Sequence, residues 1–364
     1  MKNIGLLTFH YPINYGALLQ TYATVKKLEG LNNNVTIINY YSEDQIGHYD
    51  FYKKPQSIKN LAYYAVKSLF YNSFIRKKRK FRKFLNSNCV LSEYYNNVKD
   101  IDFSPYDIIV TGSDQVFNLS KRDRLPYFQP FKKNNGQIKA SYAPSFGISN
   151  FDSETLQLIG RYVKDFDFIS CREDNGARLL SELIGKPVKN VLDPVFLLNS
   201  EEWSNISSKR LYEEKYIFIY DLNGKEKLVE IAKKVKEKHG FKIVMVSNDS
   251  MAPIRRYYKD VDIIIKDAGI EEFISLIKYA SILITDSFHG TAFSIIFRKD
   301  FYSYIALEKA STRIESLLKN FEILNRLVKK EDVNGLIIEP VIYNENIILK
   351  KIDDSKEYLM DIIS

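Results

Sequence analysis

The chain has 364 residues, 45% of them hydrophobic and 27% charged, which excludes a disordered chain and leaves room for two domains of ordinary size. The formal net charge is +8, concentrated in Arg76-Lys77-Lys78-Arg79-Lys80-Phe81-Arg82-Lys83 rather than spread along the chain. No apolar run approaches the ~20 residues that span a bilayer. Met1 to Phe9 reads as a strand rather than a signal peptide. Cys89 and Cys171 stand far apart with no metal spacing, so a reduced, intracellular and cytoplasmic protein without a disulfide framework is expected.

In chain order, Ile4–Thr8 predicts a strand and Phe9–Asn14 a loop. A helix is expected from Tyr15 to Glu29, with Leu18, Leu19, Tyr22, Val25 and Leu28 on its apolar face. Val35–Tyr40 is the second strand, and residues 42–100 are expected to form helices decorating the sheet. Tyr106–Thr111 predicts a strand ending in Gly112-Ser113-Asp114, and Lys139–Tyr142 one ending in Ala143-Pro144-Ser145. Asp167–Ser170 runs into Cys171-Arg172-Glu173 and a helix, and Val188–Leu192 into Asp193-Pro194. The pattern restarts after Asn199–Lys215, with strands at Tyr216–Tyr220, Phe241–Val246, Val261–Ile265, Ser281–Thr285 and Phe301–Ile305. Helices are expected at Gly224–His239 and Ile270–Tyr279, and a helical tail begins near Ile347.

Apolar strands alternating with helices in two arrays predict an α/β chain of two Rossmann-like domains with largely parallel sheets. The expected division is 1–200, 201–345 and a C-terminal helix, 346–364, that packs back on the first domain. In such sheets ligands bind outside the carboxyl ends of the strands. Of the four histidines, His10, His48, His239 and His289, the last sits in Asp286-Ser287-Phe288-His289-Gly290, between a strand end and an apolar helix start. An imidazole there moves protons near neutral pH, and a helix start favours anions. Arg172, directly after a strand, should find an anion: Glu173 or Asp174 nearby, or a carboxylate or phosphate of a ligand. Asp193-Pro194 and Asp286 also suit turns and helix caps, and Asn14-Tyr15-Gly16-Ala17 suits an anion-accepting turn. No nucleotide-triphosphate loop, Gly-x-Gly-x-x-Gly, nucleophile elbow or metal-spaced histidine pair is present.

Taken together these residues resemble the polysaccharide pyruvyl transferase family. The resemblance runs in order through Thr8–Gln20, Tyr106–Asn118, Ser141–Gly147, Ser170–Glu173, Val191–Phe196 and Thr285–Gly290. It implies a glycosyltransferase-B-like architecture with the active site in the interdomain cleft, an acceptor side in the first domain and a donor side in the second. The implied reaction moves the enolpyruvyl group of phosphoenolpyruvate, a substrate and not a cofactor, onto a sugar, forming a pyruvate ketal and releasing phosphate. No metal or other cofactor is implied. Arg172 and His289 fall on the family's donor-site motifs. Ser287 stands where some members carry an arginine, so Arg313 is the candidate for the missing anion contact, with Ser287 and Gly290 at the donor site. His289 is the expected acid or base, with Asp114 or Asp286 as the other partner. Asn14, Tyr15, Gly16, Gln20, Ser113 and Gln115 are the expected acceptor residues.

The acceptor implied is a galactose- or N-acetylmannosamine-type sugar of a capsule, exopolysaccharide or wall polymer, free or linked to a polyprenyl diphosphate. The basic run at Arg76–Lys83 offers two readings: a solvated helix face, or peripheral contact with anionic lipid at the inner face of the membrane. No nucleic-acid motif accompanies it. The competing readings are a glycosyltransferase-B enzyme using a nucleotide sugar and a non-catalytic, glycan-binding family member.

Overall fold

The computed structural model describes residues 1–41, 51, 58–119, 122–148, 151–249, 251–306 and 308–364, with side chains for all of these except 58–62, 122–123 and 308–312. His48 and part of the segment 42–100 lie outside the described residues. The chain divides into two compact units: Met1–Tyr49 with Leu85–Leu198 and Glu345–Ser364, and Asp50–Phe84 with Asn199–Asn344.

The first unit is built on a parallel sheet of β1 (Asn3–Leu7), β2 (Asn34–Tyr40), β3 (Val90–Tyr95), β4 (Ile108–Thr111) and β5 (Ile138–Ser141), in the order β3-β2-β1-β4-β5. Ile4 of β1 pairs with Val35 on one side and Ile108 on the other. The central strands are buried on both faces, which is why they read as unbroken apolar runs. β6 (Ser170–Cys171) and β7 (Lys189–Asn190) pair beside this sheet, joined to it by a bridge from Ala140 to Phe168. The C-terminal helix Glu345–Ile363 buries Ile348, Tyr358, Leu359 and Ile362 in this unit. Tyr358 Oη donates to Ser141 O at 3.0 Å, and Leu192 N donates to Ser355 Oγ at 2.9 Å.

The second unit holds a parallel sheet of β8 (Tyr216–Asp221), β9 (Lys242–Ser247), β10 (Ile263–Ile265), β11 (Ile282–Thr285), β12 (Asp300–Ile305) and β13 (Leu327–Lys329), in the order β10-β9-β8-β11-β12-β13. Ile284 of β11 lies between Ile219 and Tyr302. Each sheet reverses its winding once, between β1 and β4 in the first unit and between β8 and β11 in the second.

The structure adds the strand β13 and the helices Ser153–Val163 and Glu308–Asn320 to the elements read from sequence, and it shortens Asp167–Ser170 and Val188–Leu192 to β6 and β7. Val90–Tyr95 is a strand within the segment read as helical. It lies at the sheet edge with a largely exposed side-chain pattern, so it lacks the buried apolar run that marks its neighbours. Residues 50–84, read as part of the first domain, belong with the second unit. There Phe51, Phe70 and Phe74 pack with Met251, and the helix Tyr71–Asn88 is tied down by ion pairs. Arg76 Nε meets Asp267 Oδ2 and Lys80 Nζ meets Glu272 Oε1, each at 2.5 Å. Lys77 is buried, and that burial lowers its pKa to about 8 against the opposing charge of Asp267. Much of the basic run therefore has a structural partner, while Arg79 and Lys83 remain exposed.

Candidate functional site

In the second unit, His289 stands at the point where the sheet reverses its winding. β11 ends at Thr285, and the helix Phe288–Ile296 begins almost at once. Ser287 is the helix N-cap: its Oγ accepts from Gly290 N at 3.3 Å. Ser287 N donates to Thr285 Oγ1 at 3.0 Å, and Thr285 Oγ1 donates to Tyr220 O on β8 at 2.7 Å. A Cβ on Gly290 would lie 2.5 Å from Thr285 Oγ1, so only glycine lets the helix start this close to the strand. His289 is held on this turn with 7% of its surface exposed and its ring edge-on to Phe288 at 5.1 Å. Ser287 is therefore engaged in capping and is 2% exposed.

Asp286 is clamped rather than open. Its carboxylate accepts from Leu222 N at 2.8 Å, Asn223 N at 3.1 Å and Asn223 Nδ2 at 2.8 Å, tying the turn after β8 to the turn that carries His289. Burial, with the nearby Asp221 as a second cause, raises its pKa from 3.8 to about 6. Asp221 is itself buried, accepting from Gly224 N and from Ser247 Oγ at 2.8 Å and from Tyr258 Oη.

A stability consequence follows from that raised value. The folded protein holds a proton on Asp286 that the unfolded chain has released, so this group's contribution falls as pH rises from about 4 to about 6 and stays low above. Asp286→Asn removes that dependence. Relative to the wild type, the variant should gain up to about 3 kcal/mol between pH 4 and pH 7. Denaturation midpoints at a series of pH values check this, and parallel curves for the two proteins would refute it.

In the first unit, the winding reverses between β1 and β4, and the sequence motifs gather at their carboxyl ends. Asn14 caps the helix Tyr15–Gly30, its side chain accepting from Ala17 N at 3.2 Å. Tyr15 and Gln20 are fully buried. The Gln20 amide donates to Thr8 Oγ1 and to Ala17 O, both at 2.9 Å, which holds the loop after β1 against the helix. Gly16 is buried in the same first turn. Asn14, Tyr15, Gly16 and Gln20 are thus brought together, in cap and core roles. Gln115 lies against Gly147, where a Cβ would meet Gln115 Oε1 at 2.6 Å.

Asp114 follows β4 with φ 74° and ψ −175°, a region almost confined to glycine. Its side chain accepts from Gln115 N at 2.8 Å, and its carbonyl accepts from Val116 N and Ser145 N. A non-glycine residue in that conformation costs about 1–3 kcal/mol, which singles out this turn as a functional candidate.

Arg172 is the centre of a buried charge network. Its Nη1 donates to Asp193 Oδ2 at 2.6 Å, and its Nε lies 3.5 Å from Glu173 Oε1. Ser113 Oγ donates to the same Asp193 oxygen at 2.9 Å, and Ser145 Oγ donates to Glu173 Oε1. Burial opposes the Arg172 charge, but Asp193 and Glu173 outweigh it and hold the guanidinium's pKa above its ordinary value. The anion expected for Arg172 is therefore present within the chain. Glu173 is one of the acids considered from sequence, and Asp193 is the stronger partner. Asp174 instead pairs with Arg178 at 3.4 Å on the surface. Arg313, the other arginine named from sequence, is half-buried on the helix Glu308–Asn320 of the second unit.

The family model of polysaccharide pyruvyl transferases matches residues 14–305. The chain belongs to that family. No curated protein sequence matches it. Among solved structures, Staphylococcus aureus MnaA in its co-structure with UDP aligns at 12% identity and TM-score 0.50, over 98% of this chain and 92% of that one. UDP-N-acetylglucosamine 2-epimerase from Rickettsia bellii aligns at 11% identity and TM-score 0.49, over 100% and 96%. The Escherichia coli heptosyltransferase WaaC with ADP-2-deoxy-2-fluoro heptose aligns at 10% identity and TM-score 0.38, over 84% and 89%. At such identities the likeness to MnaA is one of fold alone, and this pyruvyl transferase family member is an α/β protein with a parallel sheet in each of its two units. Among its described residues no helix is long and apolar enough to cross a membrane, and no cluster of His, Cys, Asp or Glu is arranged to hold a metal.

The partners of Asp286 are not legible in the local sequence, because Leu222 and Asn223 lie more than sixty positions away. Arg124, on the turn Arg122–Phe128, stands in none of the sequence motifs. The only local signal there is an arginine among polar residues after the Gly112-Ser113-Asp114 turn.

Proposed function

We propose that the protein transfers the enolpyruvyl group of phosphoenolpyruvate onto a sugar of a surface polysaccharide or of its lipid-linked precursor. The product is a pyruvate ketal and inorganic phosphate. The observation that carries the reading is His289 on a helix start at the winding reversal of the second sheet, within a chain of the pyruvyl transferase family.

The chemistry suits that residue. Protonating the methylene carbon of phosphoenolpyruvate makes the adjacent carbon an oxocarbenium-like centre. A sugar hydroxyl adds there, the C–O bond to phosphate breaks with its electron pair leaving on phosphate, and a second hydroxyl closes the ketal. Of the two hydroxyl protons released, one replaces that given to the methylene carbon and the other leaves with phosphate. His289 supplies the proton or accepts the one released by the hydroxyl. The helix start beside it favours an anionic substrate group. Asp286, clamped by backbone donors, acts through the turn it holds and not as a free acid. Asp114 remains the acidic side chain in the strained turn of the first unit. The exposed Arg79 and Lys83 support contact of the basic helix with anionic lipid, where a lipid-linked acceptor resides.

The test is phosphate release from phosphoenolpyruvate against galactosyl and N-acetylmannosaminyl acceptors, free and lipid-linked. Acceptor-dependent release supports the reading. Absence of release with every acceptor, together with a melting temperature raised by nucleoside diphosphates and not by phosphoenolpyruvate, overturns it in favour of a nucleotide-sugar enzyme.

A further inference from the structure

The geometry points to Arg124 as an oxyanion-binding residue at the carboxyl ends of β1 and β4. This inference rests on the pyruvyl transfer reading only for the identity of the anion.

Arg124 sits on the turn Arg122–Phe128, in the connection from β4 to β5 of the first sheet. Its guanidinium lies over the ring of Phe9, 4.9 Å from the centroid, and Phe9 is in the loop directly after β1. Phe9 in turn packs edge-on against Tyr127 at 5.2 Å, which fixes the ring that supports the cation. Nη1 donates to Gln115 O, so one corner of the guanidinium is tethered to the loop after β4. The group thus bridges the two loops that flank the winding reversal, the position at which open α/β sheets bind ligands.

Its charge distinguishes it from Arg172. The Arg172 guanidinium is neutralised by Asp193 and Glu173. No described carboxylate pairs with Arg124, and its Nε is buried without a hydrogen-bond partner. With Nη1 occupied, the remaining edge is Nε with Nη2. That edge is the fork that takes a carboxylate or phosphate through two parallel N–H···O bonds. A buried guanidinium N–H with no acceptor is costly, and an oxyanion seated on this edge removes the cost.

Two sources share this chemistry under the proposed reaction: the carboxylate or phosphate of phosphoenolpyruvate, and the diphosphate of a lipid-linked acceptor. Equilibrium binding of phosphoenolpyruvate, inorganic phosphate and geranyl diphosphate to the full chain separates them. Wild type, Arg124→Gln and Arg124→Lys are compared, with circular dichroism and denaturation midpoints confirming that each is folded. Arg124→Gln should weaken binding by about 10- to 100-fold for the anion that uses this edge. Arg124→Lys should fall between the two, since it keeps the charge and loses the fork. A loss confined to phosphoenolpyruvate assigns the edge to the donor, and a loss confined to geranyl diphosphate assigns it to the acceptor. Affinities within twofold of wild type in Arg124→Gln, or no binding of any of the three to the wild type, overturn the inference. Arg124-dependent binding without any pyruvyl transfer would retain this site and discard the proposed reaction.

Discussion

Arg172→Ala is expected to destabilise the protein by about 3–5 kcal/mol, because it strips the cation from two buried carboxylates. Asp193 is fully buried and Glu173 is 3% exposed, so neither can turn to solvent for compensation. Asp193 would keep Ser113 Oγ and Val195 N as donors, at 2.9 and 3.2 Å, and Glu173 would keep Ser145 Oγ. Those neutral donors do not replace a guanidinium at 2.6 Å. A loss of that size is a large part of the about 5–15 kcal/mol that holds a domain together. Arg172→Lys should cost less, since a point charge still faces Asp193. Urea denaturation of both variants is the measurement. A folded Arg172→Ala protein with the wild-type midpoint and weakened phosphoenolpyruvate binding would return this arginine to the role of donor ligand.

His289→Ala is expected to lower acceptor-dependent phosphate release by about 10²- to 10⁴-fold, the range for loss of a general acid or base. The fold should persist, because the elements that build the turn do not depend on the imidazole. Ser287 still caps the helix, Gly290 still packs on Thr285, and Thr285 still donates to Tyr220 O. Single-turnover rates with wild type, His289→Ala and His289→Gln, at saturating phosphoenolpyruvate, separate chemistry from binding. Turnover near wild type in either variant would remove His289 from the mechanism. A loss of phosphoenolpyruvate affinity at unchanged rate would make it a binding residue instead.

The strands that frame both candidate regions were legible because their side chains are buried on both faces. β8 and β11 read as uninterrupted apolar runs, and β1 and β4 nearly so. β3 escaped because an edge strand with exposed side chains carries no such run. Residues 50–84 were assigned to the wrong unit for a related reason. Their allegiance is set by Phe51, Phe70 and Phe74 meeting Met251, and by Arg76 and Lys80 meeting Asp267 and Glu272, nearly two hundred positions away. No local pattern encodes such pairing.

By itself, then, the sequence determined the alternation of strand and helix, the turns that follow the strands, and the ordered motifs that place the chain in its family. Periodicity and turn chemistry are local properties, written within a few residues. The tertiary structure alone decided what each charged side chain does. It neutralised Arg172 with Asp193, closed Asp286 on Leu222 and Asn223, placed the acceptor candidates Tyr15 and Gln20 in the core, and left Arg124 over Phe9 with no acid among the described residues. Charge and burial are set by groups brought together from distant segments, and the strength of each interaction depends on the solvent they exclude together.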